Sequence, residues 1–99
     1  MNRFLLFAIA LCYFTSTAAQ LNITLEGQLA FPENINDIWG YADAQGQEYA
    51  LIGTQAGVSI VALNTPSNPT ELFYIAGINT NWRDLKTWDT YAYVVNEAL

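Results

Sequence analysis

Acidic, amide and aromatic side chains gather in two short stretches of this chain. Asn34, Asn36, Asp37 and Trp39 form the first, and Asn79, Asn81, Trp82, Arg83 and Asp84 form the second. Such groups suit a binding face. An indole stacks on sugar rings or apolar peptide groups, while Asn and Asp make directional hydrogen bonds. The candidate ligand-binding residues are therefore Asn36, Asp37, Trp39, Trp82, Arg83 and Asp84. A structural role competes with this. Trp39 and Trp88 would fill the space between packed units, and Asp37 and Asp84 would bond to turns. The similarity of the two stretches favours packing, because a recurring residue usually serves what each unit needs. Arg83 stands where the first stretch has Asn36, so it breaks the pattern. It is the better ligand contact, pairing with Asp84 or with a ligand carboxylate.

Other chemistry is excluded by residue type. The 99 residues contain no histidine and a single cysteine. Neither Ser-His-Asp nor Cys-His catalysis can be assembled, nor a zinc site built on those ligands. One thiol forms no internal disulfide. Asn34, Asn36 and Asp37 offer oxygen ligands, yet their spacing lacks the glycine and distal glutamate of a helix–loop–helix calcium site. General acid–base work by Asp37 or Asp84 requires a carboxylate separation that spacing alone does not supply. No catalytic residue, metal site or cofactor is assigned. Nine acidic residues against three basic ones leave a formal charge of −6. That charge disfavours nucleic acid and anionic membrane surfaces as partners.

The first residues read as an export signal rather than as structure. Met1-Asn2-Arg3 is short and positive, Phe4 to Phe14 is an unbroken apolar run, and Thr15 to Gln20 is small and weakly polar. As a helix the run spans only about 16 Å, against a bilayer core of about 30 Å. A helical signal peptide over 1–19, cleaved after Ala19, is expected. A lipoprotein signal centred on Cys12 fits less well, because Leu11 precedes it and the cysteine sits inside the apolar run. Cleavage leaves Arg83 and Lys86 as the only basic residues and removes the only thiol. The mature segment is then expected to be secreted or held at the cell surface, not to span a membrane, and to be stabilised by a shared core rather than disulfides. Asn22-Ile23-Thr24 is an N-glycosylation sequon, relevant in a host that glycosylates.

Beyond Gln20 no helical period is sustained. Short apolar, β-branched and aromatic runs alternate with turn residues, predicting strands at 25–31, 37–41, 49–54, 58–63, 71–76, 85–88 and 91–96. Gln55-Ala56-Gly57 makes a short connection in which Gly57 is free to take a positive φ. Pro66 and Pro69 interrupt the ladder, and Asp89-Thr90 makes a tight hairpin. Similarity recurs along the chain. Asn34, Asp37-Ile38 and Tyr41 match Asn81, Asp84-Leu85 and Trp88 at an offset of 47. Tyr49-Ala50-Leu51-Ile52 matches Tyr91-Ala92-Tyr93-Val94 at 42, and Thr24, Leu29 and Ala30 match Thr70, Ile75 and Ala76 at 46. The loop Ala42–Glu48, against Asp89-Thr90, accounts for the difference between 47 and 42. Four strands per unit with a period in the forties is the pattern of a β-propeller blade. One blade is expected over 37–76 and the start of the next over 84–99. The strand at 24–31 would complete the last blade of the ring.

Tyr49-Ala50-Leu51-Ile52-Gly53-Thr54, Gly57-Val58-Ser59-Ile60-Val61 and Pro66-Ser67-Asn68-Pro69 resemble the LVIVD repeat of bacterial surface propellers. Asn34–Tyr41 and Trp82–Trp88 resemble the start of choice-of-anchor B proteins. The likeness covers nearly all of the segment after Gln20. It departs where the repeat carries Asp, since Ala62 and Thr65 stand there. The resemblance implies an all-β chain of antiparallel four-stranded blades, the N-terminal part of a secreted propeller whose remaining blades and anchoring segment lie further on. It implies a non-catalytic binding or adhesion role toward an extracellular protein or glycan. The alternative is the N-terminal part of an extracellular propeller enzyme acting on carbohydrate.

Overall fold

A computed structural model describes residues 22–97, so the expected signal peptide lies outside the described residues. Six strands follow in chain order: β1 (Ile35–Ala42), β2 (Glu48–Thr54), β3 (Gly57–Ala62), β4 (Thr70–Ala76), β5 (Leu85–Trp88) and β6 (Tyr91–Val94). The first four form one antiparallel sheet in the order β1-β2-β3-β4, and β5 and β6 form a second, two-stranded one. The chain is all-β, with no helix among the described residues.

Turn chemistry sets the hairpins. Between β1 and β2, the Asp43 carboxylate accepts the N–H groups of Gln45 and Gln47, both at 2.9 Å. Gly46 takes the left-handed conformation (φ 79°) that this turn needs. Between β5 and β6 the two-residue turn places Asp89 at φ 53°, a conformation that Asp tolerates. Gly57 differs from expectation, since positive φ among the described residues occurs at Asn22, Gly46 and Asp89 instead. Its glycine answers to space: a Cβ there would meet the Ile75 carbonyl and, at 2.6 Å, the Tyr74 ring.

β2 organises the sheet. Its run Ala50-Leu51-Ile52 is buried on alternate sides, as expected of a strand covered on both faces. On one face Ala50, Ile52 and Val61 gather Leu29, Phe31 and Leu63. On the other, Leu51 and Val58 gather Leu85 from the second sheet, with Trp39 and Ile60 alongside. Each fully buried aliphatic side chain contributes about 1.5–3 kcal/mol. Residues 24–31, expected as a strand, pair with no strand among the described residues. They lie across the sheet face rather than beside an edge. Their backbone has no ladder to join, while Leu29 and Phe31 gain burial.

The two hairpins share one register. β1 pairs with β2 as Ile38–Ile52, Trp39–Leu51, Gly40–Ala50 and Tyr41–Tyr49. β5 pairs with β6 as Leu85–Val94, Lys86–Tyr93, Thr87–Ala92 and Trp88–Tyr91. Adding 47 to each β1 number and 42 to each β2 number converts the first set into the second.

Gly53 lies under the start of β5, where an added Cβ would stand 2.5 Å from the Arg83 carbonyl. Gly53→Ala is expected to cost about 1–3 kcal/mol through this overpacking. Gly40→Ala, which enters open space, should stay within about 0.5 kcal/mol. Urea unfolding of the two variants beside the parent chain measures both.

Candidate functional site

The connection from β4 to β5, residues 77–84, straps the end of the four-stranded sheet, and most of the candidate residues sit on it or under it. Backbone bonds fasten its beginning. Gly77 N–H donates to the Ala56 carbonyl (2.8 Å) and Thr80 N–H to the Gln55 carbonyl (3.0 Å). From β1, the Asn36 side-chain amide donates to the Thr80 carbonyl at 3.0 Å. Asn36 therefore holds the strap from below.

Arg83 anchors the far end. It is 4 % exposed. Its Nε donates to the Thr54 carbonyl at the end of β2 (3.0 Å) and its Nη2 to the Ile78 carbonyl (2.6 Å). Gly77 leaves room for the guanidinium, since a Cβ there would lie 2.8 Å from Nη1. The expected pairing of Arg83 with Asp84 is not made: Arg83 turns inward to carbonyl groups. The Asp84 side chain is exposed, and the Asp84 carbonyl accepts the Val95 N–H at 3.1 Å. A rigid planar fork suits two carbonyls in different directions, which explains why arginine stands here.

Asp37 and Trp39 join the two sheets. The Asp37 carboxylate accepts the N–H of Leu85, the first residue of β5, at 2.8 Å. That bond, opposed by desolvation and aided by the Ile38 N–H and the Lys86 charge, holds the carboxyl below its ordinary value of 3.8. Trp39 Nε1–H donates to Thr87 Oγ1 at 2.8 Å. The Lys86 ammonium rests 4.1 Å from the centre of the Trp39 ring, a cation–π contact. Leu85 beside them is fully buried.

Trp82 points the other way. It is 66 % exposed on a locally rigid turn. The Thr80 hydroxyl accepts the Trp82 N–H (3.0 Å) and donates to the Trp82 carbonyl (3.2 Å). Asn79 and Asn81 flank it, also exposed. The structure thus divides the six candidates. Asn36, Asp37, Trp39 and Arg83 are engaged in joining the sheet, the strap and the hairpin. Trp82 and Asp84 face outward. Trp88, the expected packing residue, is exposed. Thr54, Thr80, Thr87, Gly53 and Gly77 were not legible as partners. Only Asn79-Thr80-Asn81 carried a usable signal, a hydroxyl in a run of turn-forming residues.

A separate feature is an open apolar groove of about 470 Å³ between the β5–β6 hairpin and the exposed half of the first sheet. Leu51, Ile60, Phe73 and Ile75 form one wall and Tyr91 and Ala92 the other. Among the described residues no group of three acidic, cysteine or histidine side chains is placed to hold a metal ion. Comparison with protein-family models, with curated proteins and with solved structures finds no match to this chain.

The Asp37 bond predicts an acid dependence. Because the folded carboxyl titrates below its ordinary value of 3.8, its contribution is fully present above that value and is lost as pH falls through the lower folded one. Amide exchange at Leu85 should therefore accelerate below about pH 4, relative to its intrinsic rate. Asp37→Asn should remove that step and leave the Leu85 amide less protected at neutral pH. An unchanged acid step in Asp37→Asn would assign it to another group.

Proposed function

We propose that this chain is part of a secreted or cell-surface β-propeller of the LVIVD-repeat, choice-of-anchor B type, with a non-catalytic binding or adhesion role. In this reading β1–β4 are one blade and β5–β6 are the inner half of the next. The common register of the two hairpins supports it. So does the stacking of β5 on the β1–β2 face through Asp37, Trp39 and Leu85. The propeller is circular, and 24–31 completes a later blade once that blade offers it an edge.

Exposed Trp82 carries the binding role. The Thr80 hydroxyl holds the Trp82 backbone on both its N–H and its carbonyl, so the turn that presents the indole is ordered before a ligand stacks on it. The flanking amides of Asn79 and Asn81 supply donors and acceptors around the ring, a combination that suits a glycan or a peptide. Asp84, two residues on, is also exposed. The partner is an extracellular glycan or protein.

A glycan and peptide array probed with the full chain tests this. Trp82→Ala is expected to lose about 2 kcal/mol of binding, or about thirtyfold in affinity, as for a central aromatic contact. Its urea midpoint should remain that of the parent chain. Unchanged binding with a lowered midpoint would make Trp82 a packing residue and overturn the proposal.

A further inference from the structure

What the strap presents, and what it withholds, selects a ligand chemistry. We propose that its outer side takes an uncharged glycan, with the apolar face of a pyranose on the Trp82 indole and sugar hydroxyls on Asn79, Asn81 and Asp84. This rests on the binding role given to Trp82 above and names the ligand class.

The outward groups are set by the backbone. From 82 to 85 burial runs exposed, buried, exposed, buried, the alternation of an extended chain. Arg83 and Leu85 point into the molecule, and Trp82 and Asp84 point out, about 6.6 Å apart along the chain. Before Trp82, Asn79 and Asn81 are exposed on either side of buried Thr80. Thr80 is held by its N–H to Gln55, by its carbonyl to Asn36 and by its hydroxyl to Trp82. These fastenings use backbone groups, Thr80, Asn36 and Arg83, and leave the amides of Asn79 and Asn81 and the Asp84 carboxylate turned to solvent. Ile78 apart, the exposed side chains of the strap are one indole, two amides and one carboxylate.

That set matches hydroxyls. Each primary amide offers two N–H donors and an acceptor, and a carboxylate accepts at both oxygens. The indole supplies a flat apolar surface for the C–H face of a sugar ring. Charged ligands fit less well. Beyond Gln20 the basic residues are Arg83 and Lys86. Arg83 is buried and gives Nε and Nη2 to carbonyls. The Lys86 ammonium donates to the Leu85 carbonyl at 3.0 Å and rests on the Trp39 ring. A uronic-acid or sulfated glycan would meet the Asp84 carboxylate with no free cation to offset it. A basic ligand would find one carboxylate and a single indole face, whereas recognition of cations by aromatic groups uses a cage of rings. The one stacked ring pair among the described residues is Tyr41 with Tyr49. A peptide needs a strand edge or a groove. The strap belongs to neither sheet, and the apolar groove is lined by no strap residue.

The test is an NMR titration of the isotope-labelled full chain. The probes are three neutral hexasaccharides (cellohexaose, maltohexaose and mannohexaose), an oligogalacturonate of the same length and a lysine-rich peptide. A neutral hexasaccharide is expected to shift the Trp82 Nε1–H resonance and the side-chain amides of Asn79 and Asn81. Its affinity should stay within about twofold from about 0.05 to 0.5 M salt, since no charge pair forms. Asn79→Ala and Asn81→Ala should each weaken it about fivefold, the worth of one hydrogen bond. Asp84→Asn keeps an acceptor and should change it by less than about twofold. All three side chains are exposed, so these variants should keep the parent urea midpoint. Tighter binding of the oligogalacturonate would overturn the proposal, as would an affinity that falls with salt and with Asp84→Asn. A response to the peptide alone, or to none of the neutral hexasaccharides, would overturn it as well. Peptide binding that still requires Trp82 would leave the binding role of that residue standing. Binding of any probe that is unchanged in Trp82→Ala would remove that role, so the two readings fail separately.

Discussion

A buried guanidinium with two carbonyl partners determines how this molecule is put together. Arg83 reaches from the entrance of β5 to the Thr54 carbonyl at the exit of β2 and to the Ile78 carbonyl on the strap. Taking an arginine out of water is costly unless its donors are met. Here fixed backbone carbonyls meet Nε and Nη2, and glycines at 53 and 77 provide the close approach. Arg83 holds the chain at the entrance of β5 against the end of β2. Leu85 then falls under Leu51 and Val58, and its N–H lands on Asp37.

That constraint also explains the sharing of burial. β2 is covered on both faces, by Leu29, Phe31 and Leu63 on one side and by Leu85 of the second sheet on the other. β4 is exposed along its whole length, although Leu72, Phe73 and Ile75 are apolar. The hairpin is anchored over β1 and β2 and does not reach across to β4. A stack of sheets held by one strap leaves its next contact surface open. Exposed apolar area of this kind is a place for further strands or, failing them, for self-association.

Much of the fold was legible in the sequence because strand physics is local. Continuous apolar runs gave β2 and β3, Pro66 and Pro69 marked the break before β4, and Asp89-Thr90 marked the last hairpin. The recurrence of Asp37-Ile38 in Asp84-Leu85 carried the common register. Two things were not legible. Whether 24–31 makes a ladder depends on an edge beside it, which its own residues do not encode. Arg83 departs from Asn36 at the matching place, which reads as a ligand contact, whereas its side chain turns inward to carbonyls. The departure answers to packing: a longer, forked side chain spans from strap to β2, where Asn36 only reaches Thr80. The candidate residues are legible as a group, while the split between joining residues and outward-facing Trp82 depends on contacts between distant parts of the chain.

The central claim is that Arg83 fixes the strap and, through it, the second sheet. Residue-resolved amide exchange on the Arg83→Lys chain tests it most directly. A lysine keeps the charge but cannot present the planar fork to both carbonyls. The account predicts that residues 80–95 lose protection by about tenfold or more while the β1–β2–β3 ladder keeps its own. Equal loss across both sheets, or no loss in the strap and hairpin, would contradict it.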